Sequence, residues 1–148
     1  MASPRIVSAE RIINAPRQQL FDIVATPTLH SVIDGSGSVE EIIKGPERLS
    51  LGATFGAAMH LGVGYKVTNT VLSFVDGEEI SWRHGGGFTW SYEFSDVEGG
   101  TKVVERFDYS GPLGLTIAFT PTPKRNQKNM AKTLERLERY ALTGSAEG

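Results

Sequence analysis

The sequence predicts an α+β fold in which a seven-stranded antiparallel sheet packs against one long C-terminal helix. Two short helices fall between the first and second strands. Three observations carry this expectation. Seven runs of strand length are separated by short turns in a chain that holds 17 glycines. Asp76-Gly77 and Gly99-Gly100 supply hairpin turns, where glycine accepts the positive φ such turns require. Near the C-terminus Met130, Leu134, Leu137 and Ala141 recur at helical spacing, and an amphipathic helix beside a sheet must bury that stripe against it.

The elements follow in order. Residues 5–14 read as the first strand, with Ile6 and Val7 early and Ile12 and Ile13 late. Pro16 then opens a helix, because its missing N–H would be unpaired at the first helical position anyway. Leu20, Phe21, Ile23 and Val24 give that helix its apolar stripe. Thr26-Pro27 repeats the signal, as cap and first residue of a short helix through about Ile33. Residues 39–44, 54–61, 65–75, 79–84, 88–95 and 102–109 are strands two to seven. The apolar stretch 113–119 reads as a helical turn or a lid. Pro121 and Pro123 interrupt the chain before the last helix, which Gly144 closes.

The 148 residues suit one domain, 1–148. An apolar share of 39% and a charged share of 22% exclude a disordered chain. The net charge of −2 leaves no chain-wide footprint for nucleic acid, and none is expected as a partner. Residues 124–140 depart from this balance, with six basic residues and two acidic ones. Lys124, Arg125, Lys128, Lys132, Arg136 and Arg139 read as a solvated helix face, with an acidic partner or membrane surface as the functional alternative. The absence of cysteine removes disulfides, thiolate nucleophiles and cysteine-ligated metals, and fits a cytoplasmic setting. The first five residues lack the layout of a signal peptide. No apolar run approaches the ~18 residues that span a bilayer, so no integral membrane association is expected.

Strand alternation assigns the two faces of the sheet. Phe55, Ala57, Met59 and Leu61 share one face of the third strand, and Val67, Asn69 and Val71 one face of the fourth. On the last three strands the matching sets are Ile80, Trp82 and His84; Phe88, Trp90, Tyr92 and Phe94; and Val103, Glu105, Phe107 and Tyr109. A sheet packed dry on a helix should exclude Glu105, because a lone buried carboxylate is costly. Amphipathic aromatics mixed with a few polar groups are instead the usual lining of a small-molecule pocket. The alternative is that the aromatics fill a core and a bulge turns Glu105 outward. The candidate lining is Phe55, Met59, Asn69, Trp82, His84, Trp90, Tyr92, Glu105, Phe107 and Tyr109, with Met130 from the helix.

Several short motifs carry a family likeness. They are Ile12-Ile13-Asn14-Ala15-Pro16 with Leu20-Phe21, Thr26-Pro27 with His30, Trp82-Arg83, Gly100-Thr101-Lys102-Val103, and Thr133-Leu134-Glu135-Arg136-Leu137. In this order they resemble the SRPBCC (START-like, helix-grip) superfamily over nearly the whole chain, and especially bacterial polyketide cyclase/dehydrase-like proteins. The resemblance implies a seven-stranded sheet wrapped around the C-terminal helix, with a ligand cavity between them. It fixes function poorly, since the superfamily includes lipid carriers, receptors, cyclases and chaperone-cofactor domains.

The remaining motifs narrow the chemistry. Asp34-Gly35-Ser36-Gly37 lacks the lysine and following helix of a phosphate loop and reads as a flexible turn. Gly62-Val63-Gly64 reads as a rim loop, and Gly85-Gly86-Gly87 as a loose hairpin with a gating role as the alternative. His30, His60 and His84 have no metal-ligand spacing, so no metal is expected, nor any other cofactor. His60 reads as solvent-facing and His30 as a surface or packing residue. His84 is the best proton carrier, since neutral imidazole gives or takes a proton near neutral pH. Glu105 and Tyr109 are the other catalytic candidates. The reading placed first is a binder or carrier of a hydrophobic or aromatic small molecule, with lipid-like ligands included. Behind it stand a cyclase/dehydratase-type enzyme that moves protons through His84 and Glu105, and a protein-interaction domain with a filled cavity.

Overall fold

The computed structural model describes residues 5–37, 39–61, 63–85 and 87–146. Its sheet has seven strands: β1 (Ile6–Ile13), β2 (Val39–Lys44), β3 (Thr54–Leu61), β4 (Val63–Val75), β5 (Glu79–His84), β6 (Phe88–Val97) and β7 (Gly100–Asp108). The strands lie in the order β1-β7-β6-β5-β4-β3-β2, every neighbouring pair antiparallel. β2 to β7 are therefore a plain meander, while β1 crosses to the far edge beside β7. The link from β1 to β2 holds α1 (Arg17–Val24), a 3-10 turn (Pro27–Leu29) and α2 (His30–Ile33). A second 3-10 turn (Pro112–Thr116) precedes α3 (Thr122–Thr143). This is an α+β fold with an open antiparallel sheet and a C-terminal helix.

Local chemistry explains the boundaries. Gly77 and Gly99 take φ of 77° and 91°, in the left-handed region hairpin turns need. Gly100 adds close approach, since a Cβ there would sit 2.1 Å from the Ile13 carbonyl oxygen. α3 ends on Gly144 at φ 77°, whose N–H donates to the Tyr140 carbonyl at 2.8 Å. Thr26 behaves differently from a cap. Its hydroxyl donates back to the Asp22 carbonyl at 2.7 Å, closing the end of α1 instead of opening the next turn.

The molecule has a dry end and an open end. At the dry end Phe21 packs edge-on to Phe74 and Phe94, with ring centroids 5.3 and 5.5 Å apart. Ile13, Leu20, Val24, Ile80, Val103, Leu134 and Leu137 complete this core. A register shift between Val71 and Ser73 resets the alternation after exposed Leu72, so that Phe74, which parity from Val71 would turn outward, joins it. α3 packs mainly on β1, and Arg11 ties the two with a 2.9 Å ion pair to Glu138.

The turn after α2 is not loose. A Cβ on Gly35 would lie 2.6 Å from the Asn129 carbonyl oxygen, the Lys132 Cβ and the Thr133 nitrogen, so only glycine lets this backbone press against α3. The Gly35 N–H donates to Thr133 Oγ1 at 2.8 Å. Arg136 donates twice to the Val32 carbonyl, at 3.1 and 2.7 Å. The basic helix face is thereby divided. Arg136 works as a clamp, Arg139 donates to the Ala146 carbonyl at 3.2 Å, and Lys124, Arg125, Lys128 and Lys132 are exposed.

Candidate functional site

At the open end a cavity of about 650 Å³ lies between the sheet and α3. This is within the range of small-molecule sites, roughly 300–1,000 Å³. Its sheet wall comes from β3 to β7, and its opposite wall from α2 and the first half of α3. Phe55, Met59, Asn69, Trp82, His84, Trp90, Tyr92, Glu105, Phe107 and Met130 all border it. Strand parity therefore brings nine of these ten residues together, and the helical phase of α3 adds Met130.

Tyr109 does not join them. β7 ends at Asp108, and the Tyr109 N–H donates to the Arg5 carbonyl at 2.9 Å. The Arg5 guanidinium sits 5.9 Å from the centre of its ring. Tyr109 stacks on Phe107, at 5.6 Å between centroids, but does not border the cavity. Alternation stops being a guide where the strand stops.

The aromatic rings of the wall form two clusters, one around Trp82 and one around Trp90. Trp82 stacks on His30 at 5.1 Å and meets Phe55 edge-on at 5.5 Å. Trp90 lies 4.6 Å from Phe107, the shortest ring separation in the site. His30 is buried rather than on the surface, with its Nε2 2.8 Å from the Val24 carbonyl oxygen. Burial lowers its pKa, so a neutral ring packs against the indole.

Two polar pairs interrupt this wall. His84 Nδ1 lies 2.8 Å from Asn69 Oδ1, while the Asn69 amide donates to the Phe55 carbonyl at 3.4 Å. Burial lowers the His84 pKa as well. The second pair is Glu105 and Tyr92, directly opposite each other in the β6–β7 register. Glu105 is 4% exposed and points inward, with no bulge to turn it out. Burial raises its carboxyl to about 8, the facing Tyr92 hydroxyl partly offsets this, and the charge of Asp34 adds to it. Burial and the nearby carboxyl raise the Tyr92 phenol well above its usual value. At neutral pH both groups are thus protonated donors. Among the described residues nothing bonds to Glu105 Oε1.

The sequence reading missed the polar half of α3. Thr122, Asn126, Asn129 and Thr133 border the cavity alongside Met130, while Leu134 and Leu137 enter the dry core. Their spacing of three and four was visible, and its change from polar to apolar marks where the cavity ends. Asp34 also borders the cavity, and its carboxylate accepts from the Ser36 and Val39 N–H groups at 3.1 and 2.9 Å. Exposed Ser36 and Arg125, with partly exposed Tyr65, mark the mouth. Beside it Gly87 packs under Leu113, where a Cβ would meet the leucine side chain at 2.8 Å. Gly62, of the expected rim loop, and Gly86, of the expected glycine hairpin, lie outside the described residues. His60 is exposed, away from the cavity.

Comparison with known proteins agrees with this architecture. The family model described as "Polyketide cyclase / dehydrase and lipid transport" matches residues 4–142. An uncharacterized protein of Mycobacterium tuberculosis, Rv0088, is 36% identical over 98% of this chain and 68% of its own length. An AHSA1-like protein from Aeromonas hydrophila superposes with a TM-score of 0.72 at 20% identity, over 97% of this chain and 96% of that one. The Aha1 dimer from Colwellia psychrerythraea gives 0.72 at 16% identity, over 97% and 99%. At such low identity these two structures speak for the fold alone. With the family match spanning nearly the whole sequence, the chain belongs to the polyketide cyclase/dehydrase and lipid transport family of the SRPBCC superfamily.

Proposed function

We propose that the chain binds a hydrophobic or aromatic small molecule with one polar end, as a carrier or sensor. The observation that carries this reading is the unpartnered Glu105 Oε1 on the wall of an aromatic-lined cavity of about 650 Å³. An unsatisfied buried acceptor costs on the order of 1–3 kcal/mol, which a ligand hydroxyl or a water would relieve. The protonated carboxyl can in turn donate to a ligand carbonyl. The apolar body would lie against Trp82, Trp90 and Phe107, and the "lipid transport" in the family's description supports such a ligand. An open cavity of this volume weighs against an interaction domain with a filled interior.

A second reading, proton-transfer catalysis of the cyclase/dehydratase type, is favoured by one further observation. A neutral imidazole and a protonated carboxyl border the same cavity, so a proton acceptor and a donor coexist at neutral pH. Under this reading Glu105→Gln abolishes turnover of a polyketone substrate that still binds.

Mass spectrometry of organic extracts from the purified protein tests the binding reading. Wild type should carry an apolar compound with one carbonyl, hydroxyl or acid end, and Trp90→Ala should carry much less of it. Extracts that match the background for both proteins count against it.

A further inference from the structure

We infer that the surface around the cavity mouth docks on an anionic lipid bilayer. The chain from residue 109 to residue 134 contains no aspartate or glutamate and four cations, although the whole protein is net −2. All four cations, Lys124, Arg125, Lys128 and Lys132, are exposed on the first half of α3. Immediately before them, two large apolar side chains stand in solvent: Leu115 at 60% and Phe119 at 96% exposure.

Backbone hydrogen bonds join these groups. The 3-10 turn continues through N–H bonds from Ile117 to the Gly114 carbonyl and from Thr120 to the Ile117 carbonyl, then into α3 through Arg125 to the Pro121 carbonyl. Leu115 and Phe119 thus flank Ile117, which borders the cavity, and α3 begins three residues after Phe119. On β4, Tyr65 borders the cavity at 38% exposure, and Val63, on the same strand face, is 70% exposed. Apolar side chains beside an unopposed cationic helix face match the two forces of an anionic bilayer interface, insertion of apolar area and attraction to headgroup charge. An acidic protein partner would satisfy the cations but leave Phe119 without a role. Docked this way, the cavity mouth would open onto the lipid, a direct path for an apolar ligand.

Co-sedimentation of the full chain with vesicles tests this. Binding is expected to mixed phosphatidylglycerol and phosphatidylcholine vesicles, weakened by high salt, and not to phosphatidylcholine alone. Reversing Lys124 and Lys128 to Glu should reduce it at least tenfold, since each cation near an anionic surface is worth about fivefold. Phe119→Ser, on the exposed turn, should weaken binding while thermal melting stays unchanged. A chain that stays in the supernatant overturns the inference, as does equal binding to both lipids or indifference to these substitutions. Sedimentation reads docking whether or not the cavity is filled. The extraction experiment reads the cavity without a bilayer, so the inference and the binding reading can fail separately.

Discussion

Glu105→Gln should make the protein more stable than wild type near pH 8 by on the order of 4 kcal/mol, and not detectably more stable at acid pH. The carboxyl titrates at about 8 in the folded protein and near 4.5 in the unfolded chain. Between those values the unfolded chain releases the proton while the folded protein keeps it, so each pH unit favours unfolding. Glu105's contribution is therefore fully present below about 4.5 and is lost as pH rises to about 8. Glutamine is the neutral, near-isosteric replacement and removes this slope. His30 and His84 act in the opposite sense, because burial lowers both from 6.5. Stability tied to them is present above that value and is lost as pH falls through it. Both histidines remain in wild type and variant, so subtracting two urea-denaturation series across pH isolates Glu105. Parallel curves would mean that its carboxyl is solvated and the cavity wall is misassigned.

Leu137→Ala should destabilise the protein by roughly 2–5 kcal/mol, a large fraction of the stability of an ordinary domain. Leu137 is fully buried in the dry core with Ile13, Leu20, Phe21 and Val103. Close-packed neighbours on every side leave little room to collapse, so the lost methyl groups become a void. Met130→Ala should cost less, because Met130 borders the cavity and lies outside the dry core. A chain ended after Pro123 loses the whole stripe and should show no cooperative melting transition. Calorimetry of the three proteins gives the ranking, and equal losses for Leu137→Ala and Met130→Ala would contradict the division into a dry and an open end.

Much of the fold was legible because its signals are local. Glycine at positive φ marks hairpins such as Gly77, and the α3 stripe needs only helical spacing. Parity along β5, β6 and β7 placed Trp82, Trp90, Tyr92, Glu105 and Phe107 on one wall, since a strand's faces alternate without exception until it bulges or ends. What escaped is what depends on tertiary contact. His30 is a lone histidine on a short helix until Trp82 stacks on it. Asp34-Gly35 has the composition of a free turn, and only the close approach of α3 shows why glycine is required. Asn126 and Asn129 share the face of Met130, but a stripe read for hydrophobicity alone passes over asparagine. The bulge at Leu72 and the end of β7 before Tyr109 are backbone events that side-chain alternation does not encode.

Tryptophan fluorescence during ligand titration tests the central claim, an accessible cavity between sheet and helix, most directly. The chain has 2 tryptophans, Trp82 and Trp90, and both border the cavity. Fatty acids and aromatic polyketide-like compounds should be titrated into wild type and into Ala57→Phe, which places a ring on the cavity wall where a buried alanine now stands. A saturable change in wild type that disappears in a folded Ala57→Phe is the predicted result. No response from either tryptophan to any compound, or an equal response in both proteins, would contradict it.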